Sequence, residues 1–184
     1  MMRKQQLIFF IGACLPFGNV ISQDCPPNSL KTAVDARFVV NADYTVSDLE
    51  TGLVWKRCSE GQSTVDPTMP CGSGSIQSYT WQGALNQANT VNNGTGYAQV
   101  KSWRLPNIKE LESIVEWGCQ NPAFNSTVFP LTSGATGSAS ERYWSSTTLE
   151  SDPTRAWYIG ADDGRTQFVT KDTAAQVILV YDLK

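Results

Sequence analysis

The chain reads as an α+β fold in which two helices pack on short, mainly antiparallel strands and two disulfides staple the result. Three observations predict it. Apolar residues recur at helical spacing twice in the first half, from Trp81 and from Ile108. Short β-rich segments separated by turn chemistry fill the second half from Tyr143 onward. Four cysteines, Cys25, Cys58, Cys71 and Cys119, remain once a leader is set aside, an even number in a chain that reads as exported. Helices in one half and strands in the other is the α+β pattern.

The leader is residues 1–22. Arg3 and Lys4 form a positive start, Leu7 to Ala13 is apolar, Pro16 and Gly18 break the run, and Val20-Ile21-Ser22 offers a small residue at the cleavage point. The apolar run is too short for a membrane-spanning helix. A rival reading takes Ile11-Gly12-Ala13-Cys14 as a lipobox, which would leave a lipoprotein anchored through Cys14. The apolar Leu15-Pro16-Phe17 after it is unlike a polar tether, so cleavage after Ser22 is preferred. Cleavage there leaves 162 of 184 residues, one domain's worth. It also removes Arg3 and Lys4, which takes the formal charge from −3 to −5.

Residues 23–36 form a lead-in, with Cys25 beside Pro26-Pro27, and 37–184 form a single domain. Arg37 to Val40 reads as a strand. Tyr44 to Ser47 and Leu53 to Lys56 flank Glu50-Thr51-Gly52 and read as a hairpin with Trp55 in the core. Cys58 to Cys71 encloses an aperiodic loop with Pro67 and Pro70. A Cys58–Cys71 bridge would staple that loop, which leaves Cys25 with Cys119 at the end of the second helix. Thr80 caps a helix whose face is Trp81, Ala84, Leu85, Ala88 and Val91, and Asn92-Asn93-Gly94 ends it. In Trp103-Arg104-Leu105-Pro106-Asn107 the two apolar residues alternate into a core and Pro106 sets a corner. Asn107 then caps a helix with Glu110 in a capping box, and Ile108, Leu111, Ile114 and Val115 form its apolar face. Ser133 to Ser140 is a Gly/Ser loop. Four strands follow, around Tyr143 to Ser146, Ala156 to Ile159, Arg165 to Val169 and Gln176 to Val180, with Asp162-Asp163-Gly164 as the turn between the second and third. Asn93-Gly94-Thr95 and Asn125-Ser126-Thr127 match the glycosylation sequon.

An acidic chain with no basic run disfavours nucleic acid and anionic membrane surfaces as partners. It also lacks the local basic patch that a sulfated polysaccharide would need. The sequence contains no histidine, so no Ser-His-Asp or Cys-His nucleophile, HExxH zinc site or histidine base exists.

The Trp103 to Leu111 stretch resembles the signature of the Lcl C-terminal domain family, named for the C-terminal part of a Legionella collagen-like adhesin. Four further segments agree in order: Thr51 to Cys58, Thr80 to Leu85, Tyr143 to Ser146 and Ala156 to Tyr158. The resemblance runs from about Arg37 to Tyr181. It implies a C-type-lectin-like fold in which the last strands and their turns carry a variable ligand surface. Sugar-binding C-type lectins that use calcium carry a Glu-Pro-Asn or Gln-Pro-Asp loop and a Trp-Asn-Asp triplet. Here Gln120-Asn121-Pro122 is not that loop, and Trp144-Ser145-Ser146 lacks the ligands of the triplet. Asp162, Asp163 and Asp152 are the set a calcium ion would use, and no metal or other cofactor is assigned. The resemblance also extends to formylglycine-generating factors with a reactive cysteine pair, but these cysteines are spaced as staples.

Two sites follow as expectations. The Trp144-Ser145-Ser146 and Ala156-Trp157-Tyr158 segments offer aromatic faces and hydroxyls that could line a sugar site, but Trp144 and Trp157 read as core, which by strand alternation makes Tyr143 and Tyr158 the exposed aromatic members. Asp162, Asp163 and Arg165 sit on the turn that the resemblance marks as ligand surface. The expected function is an exported, non-catalytic, adhesin-like domain binding a glycan or protein. The alternative is a structural component of a bacterial surface or pilus-type assembly with no ligand of its own. An exposed aromatic patch with polar groups would favour the first, and a free apolar edge the second.

Overall fold

The computed structural model describes residues 23–64, 70–130 and 142–183. The expected leader with Cys14, Pro67 of the disulfide loop and the Gly/Ser stretch Ser133 to Ser140 lie outside the described residues.

The lead-in, 23–36, is tied to the domain at several points. Asp24 bridges Gln120, Cys25 is joined to Cys119, and Ala33 is fully buried. A 3-10 turn at Asp35–Arg37 leads into β1 (Phe38–Val40), β2 (Thr45–Asp48) and β3 (Leu53–Lys56). The expected hairpin is β2 with β3, antiparallel in the register Val46 to Trp55. Gly52 in its turn has φ +69° and open space around it, so the backbone conformation, not crowding, requires glycine there. Trp55 is fully buried, as expected. Arg37 and Asp48 form a buried, two-pronged ion pair at the base of this unit. Burial alone would raise the Asp48 carboxyl, but bonds from Arg37, Thr51 and Glu50 hold it below the usual range.

The Cys58–Cys71 bridge forms, and the ends of its loop are further pinned by a two-residue ladder between β4 (Gln62–Ser63) and β5 (Ser73–Gly74). After β6 (Ser78–Tyr79) comes α1 (Trp81–Asn93), with the Thr80 hydroxyl accepting from Gly83 N at 3.2 Å and Gly94 closing the end. The next helix, α2 (Ile108–Ser113), carries the expected capping box: Glu110 N donates to Asn107 Oδ1 at 3.0 Å, and Asn107 N to Glu110 Oε2 at 2.7 Å. It is shorter than the apolar spacing suggested. Ile114 and Val115 still enter the core, but as part of a turn, and Cys119 lies beyond the helix rather than at its end. The turn is held by the buried Glu116 carboxylate, which accepts from Thr32 N, Ala33 N and Gly118 N.

Strands β7 (Arg142–Thr148), β8 (Arg155–Gly160), β9 (Thr166–Thr170), β10 (Ala175–Gln176) and β11 (Val180–Asp182) complete the chain. One sheet has the order β1-β2-β3-β11 and a second β6-β10-β7-β8-β9, almost wholly antiparallel. The expected last strand, Gln176 to Val180, is therefore split: the chain leaves one sheet after Gln176 and joins the other at Val180. Between them the side chains alternate between two cores, Val177 and Leu179 into one, Ile178 and Val180 into the other. Arg104 pairs through its backbone with Val180 and through its guanidinium with Glu110 and Asp182, so the corner at Pro106 is strapped to β11. Trp103 and Leu105 on either side of it are buried, as expected.

The first core is built from Phe38, Trp55, Leu111, Ile114, Phe124, Phe129, Tyr143 and Ile159. The second holds Ala84, Ala88, Trp103, Leu105, Trp144 and Tyr158 under α1. Asn125 of the second sequon is itself buried, its amide donating to Ala33 O and Asp35 Oδ1, so it is a structural group and no glycan acceptor.

Candidate functional site

The expectation that Tyr143 and Tyr158 are the exposed aromatics is overturned: they are 0% and 6% exposed. Alternation holds, but both faces of the sheet's centre are covered. Tyr143 packs edge-on against Phe124 in the first core with its hydroxyl on Ser59 at 2.6 Å. Tyr158 packs edge-on against Trp144 in the second. Burial raises the Tyr143 phenol well above its ordinary range.

Asp162, Asp163 and Arg165 do share the β8–β9 turn, and each has local work. Asp162 O accepts from Asn121 N, and Asp163 Oδ1 accepts from Arg165 N at 2.9 Å. A side chain at Gly164 would meet Val115 Cγ1 at 2.6 Å, so the turn is seated on the first core. Trp117, 55% exposed, stands beside it. Asp152 is in the β7–β8 turn at the other end of β8, so the aspartates of the suggested calcium set are not brought together. Asp152 instead accepts from Thr154 N and Oγ1, which hold its carboxyl below the usual range.

The aromatic surface lies where the sequence reading placed a core residue. Trp157 is only partly buried and meets Phe168, 43% exposed on the edge strand, ring to ring at 5.3 Å and 85°. Opposite Trp157 the β7–β8 ladder is irregular. Trp144 pairs with Tyr158 and Thr148 with Ala156, so β7 carries two more residues than β8 across this gap. Such a bulge bends its strand away from its neighbour. Ser145, fully buried, fastens the bulge by donating to Trp157 O at 2.8 Å. Beside it opens a cleft of about 650 Å³ lined by Thr147, Thr148, Leu149, Glu150, Ser151 and Trp157.

Two cations flank this cleft and both are engaged. Arg155 lies over the Phe168 ring, with its Nε 3.2 Å from Asp152 Oδ2. Lys171 lies 4.0 Å over the Trp81 ring and donates to Thr148 Oγ1 at 3.1 Å. A shallow aromatic floor with hydroxyls and one carboxylate can bind a ligand by stacking and hydrogen bonding. Of the cleft residues only Trp157 was weighed from sequence as a sugar-site aromatic, and it was read as core instead. The usable signal was the position of Trp157 opposite a strand that turns out to be a sheet edge, which local alternation cannot reveal.

The family model described as the Lcl C-terminal domain matches residues 44–181. No curated protein shows a significant match.

Proposed function

The chain belongs to the Lcl C-terminal domain family, and on that premise we propose that it is an exported, non-catalytic binding module for a glycan or protein at the cell surface. We read its fold as C-type-lectin-like. The observation that carries the binding reading is the Trp157–Phe168 pair beside an open, hydroxyl-lined cleft. Export to a periplasmic, cell-surface or secreted location is supported by two disulfides, which persist in oxidising compartments. Among the described residues no helix is long and apolar enough to cross a membrane. The non-catalytic reading is supported by the absence of histidine from the sequence and by four cysteines held in bridges rather than as a reactive pair.

The test is a glycan array probed with the full chain and with Trp157→Ala, in calcium and in chelator. The reading expects binding that survives chelation and disappears with Trp157. An array on which both proteins bind alike removes the cleft as the ligand face.

One observation favours the alternative, a component of a surface or pilus-type assembly. Gly160 N donates to Arg165 O and Lys171 N to Thr154 O, so by antiparallel alternation the backbones of Thr166 and Phe168 face away from β8. This uncharged edge is free among the described residues, and free edges invite strand pairing. Sedimentation showing concentration-dependent polymers would favour that reading.

A further inference from the structure

We propose that the Trp157 cleft takes a neutral sugar ring stacked on the indole, not a sulfated or uronic glycan. This rests on the reading of the cleft as the ligand face and names the ligand's chemistry.

Three of the six indole N–H groups are used by the scaffold, and of the other three, Trp55 is buried in the first core and Trp117 stands beside the β8–β9 turn, which leaves Trp157 as the one at the cleft. Trp81 donates to Ser145 O, Trp103 to Tyr97 O and Trp144 to Tyr79 O, each at 2.8–3.1 Å, so these three are tied into the scaffold. Among the described residues the Trp157 N–H has no such partner, and the ring borders the cleft. The hydroxyls are also oriented for use. Thr147 Oγ1 accepts from Ile108 N, and Thr148 Oγ1 accepts from Lys171 Nζ. An oxygen that already accepts still has its own O–H to donate. Glu150 adds an acceptor for sugar hydroxyls, and charged acceptors make the stronger hydrogen bonds.

Charge decides between sugar classes. The lining contains one carboxylate and no cation. Of the two cations nearby, Arg155 is paired with Asp152, and Lys171 keeps its charge but is drawn onto the Trp81 ring and Thr148 Oγ1, outside the lining. The whole chain is net negative. An anionic glycan would meet Glu150 within the lining itself, a like-charge arrangement that interfaces use to reject partners. A neutral ring loses nothing there and gains the carboxylate as an acceptor.

The test follows the Trp157 indole N–H resonance of the ¹⁵N-labelled full chain. The probes are a panel of neutral methyl glycosides and N-acetylglucosamine, with a heparin oligosaccharide as the anionic arm. Neutral sugars should shift the resonance, and the affinity should be insensitive to salt. Glu150→Gln should weaken that affinity about tenfold, while Trp157→Ala should weaken it at least tenfold. Heparin that shifts the resonance, binds more tightly to Glu150→Gln and is released by salt would overturn the neutral-sugar assignment and leave the cleft as the ligand face. No shift with either class would overturn the neutral-sugar assignment and leave only a protein ligand for the cleft.

Discussion

Trp103 and Asn107 show how far single residues can be read. Both were assigned structural tasks from sequence and both perform them. Trp103 is 2% exposed, packs edge-on against Tyr97 and Tyr181 and donates to Tyr97 O. Trp103→Ala should therefore cost about 3–5 kcal/mol in a denaturant melt, the range of large core truncations. Asn107→Ala removes one arm of an exposed capping box and should cost about 1 kcal/mol. Tyr158 is one of the residues the sequence misplaced, with Tyr143 and Trp157. Because it packs against Trp144 and bonds Gln167 Oε1 at 3.2 Å, Tyr158→Ala should cost several times more than a surface change, about 3 kcal/mol or above. A cap is local chemistry and is legible from a few neighbours. Exposure of a strand residue depends on what covers each face, and no neighbour in sequence says that.

The same limit operates for elements. The β2–β3 hairpin, both helices, the β8–β9 turn and both bridges were legible, because each is closed by short-range signals or by cysteine count. The division of Gln176 to Val180 between two sheets was not, since its apolar run serves two cores at once and looks like one buried strand. Nor was the bulge opposite Trp157, because it depends on pairing register. The Cys58–Cys71 bridge spans a sequence separation of 13. Closing so short a loop contributes roughly 3 kcal/mol through the unfolded chain. The Cys58→Ser/Cys71→Ser double variant should lose that amount in a urea titration. It should keep the Cys25–Cys119 bridge, which peptide mapping would detect.

For the whole molecule, two cores on opposite faces of one sheet hold tyrosines that must stay neutral, Tyr143 fully buried and Tyr97 half-buried at the edge of the second core. Burial pushes the Tyr97 phenol up to about 12 and raises Tyr143 in the same direction. Above pH 10 the unfolded chain loses these protons while the folded chain keeps them. Their contribution is thus complete below pH 10 and is lost as pH rises toward 12. Melting temperatures by circular dichroism should fall over that window, and Tyr97→Phe should flatten part of the fall. A Tyr97→Phe protein with an unchanged alkaline limb would contradict the assignment. The central claim is that a rigid two-core scaffold presents Trp157 as its ligand contact, and the most direct measurement is a binding isotherm and a thermal melt on one preparation of Trp157→Ala. Partly exposed and, among the described residues, without a partner for its N–H, the side chain should leave the melt within a few degrees of wild type, and binding should be lost. A Trp157→Ala protein that melts normally and binds as wild type would contradict the account.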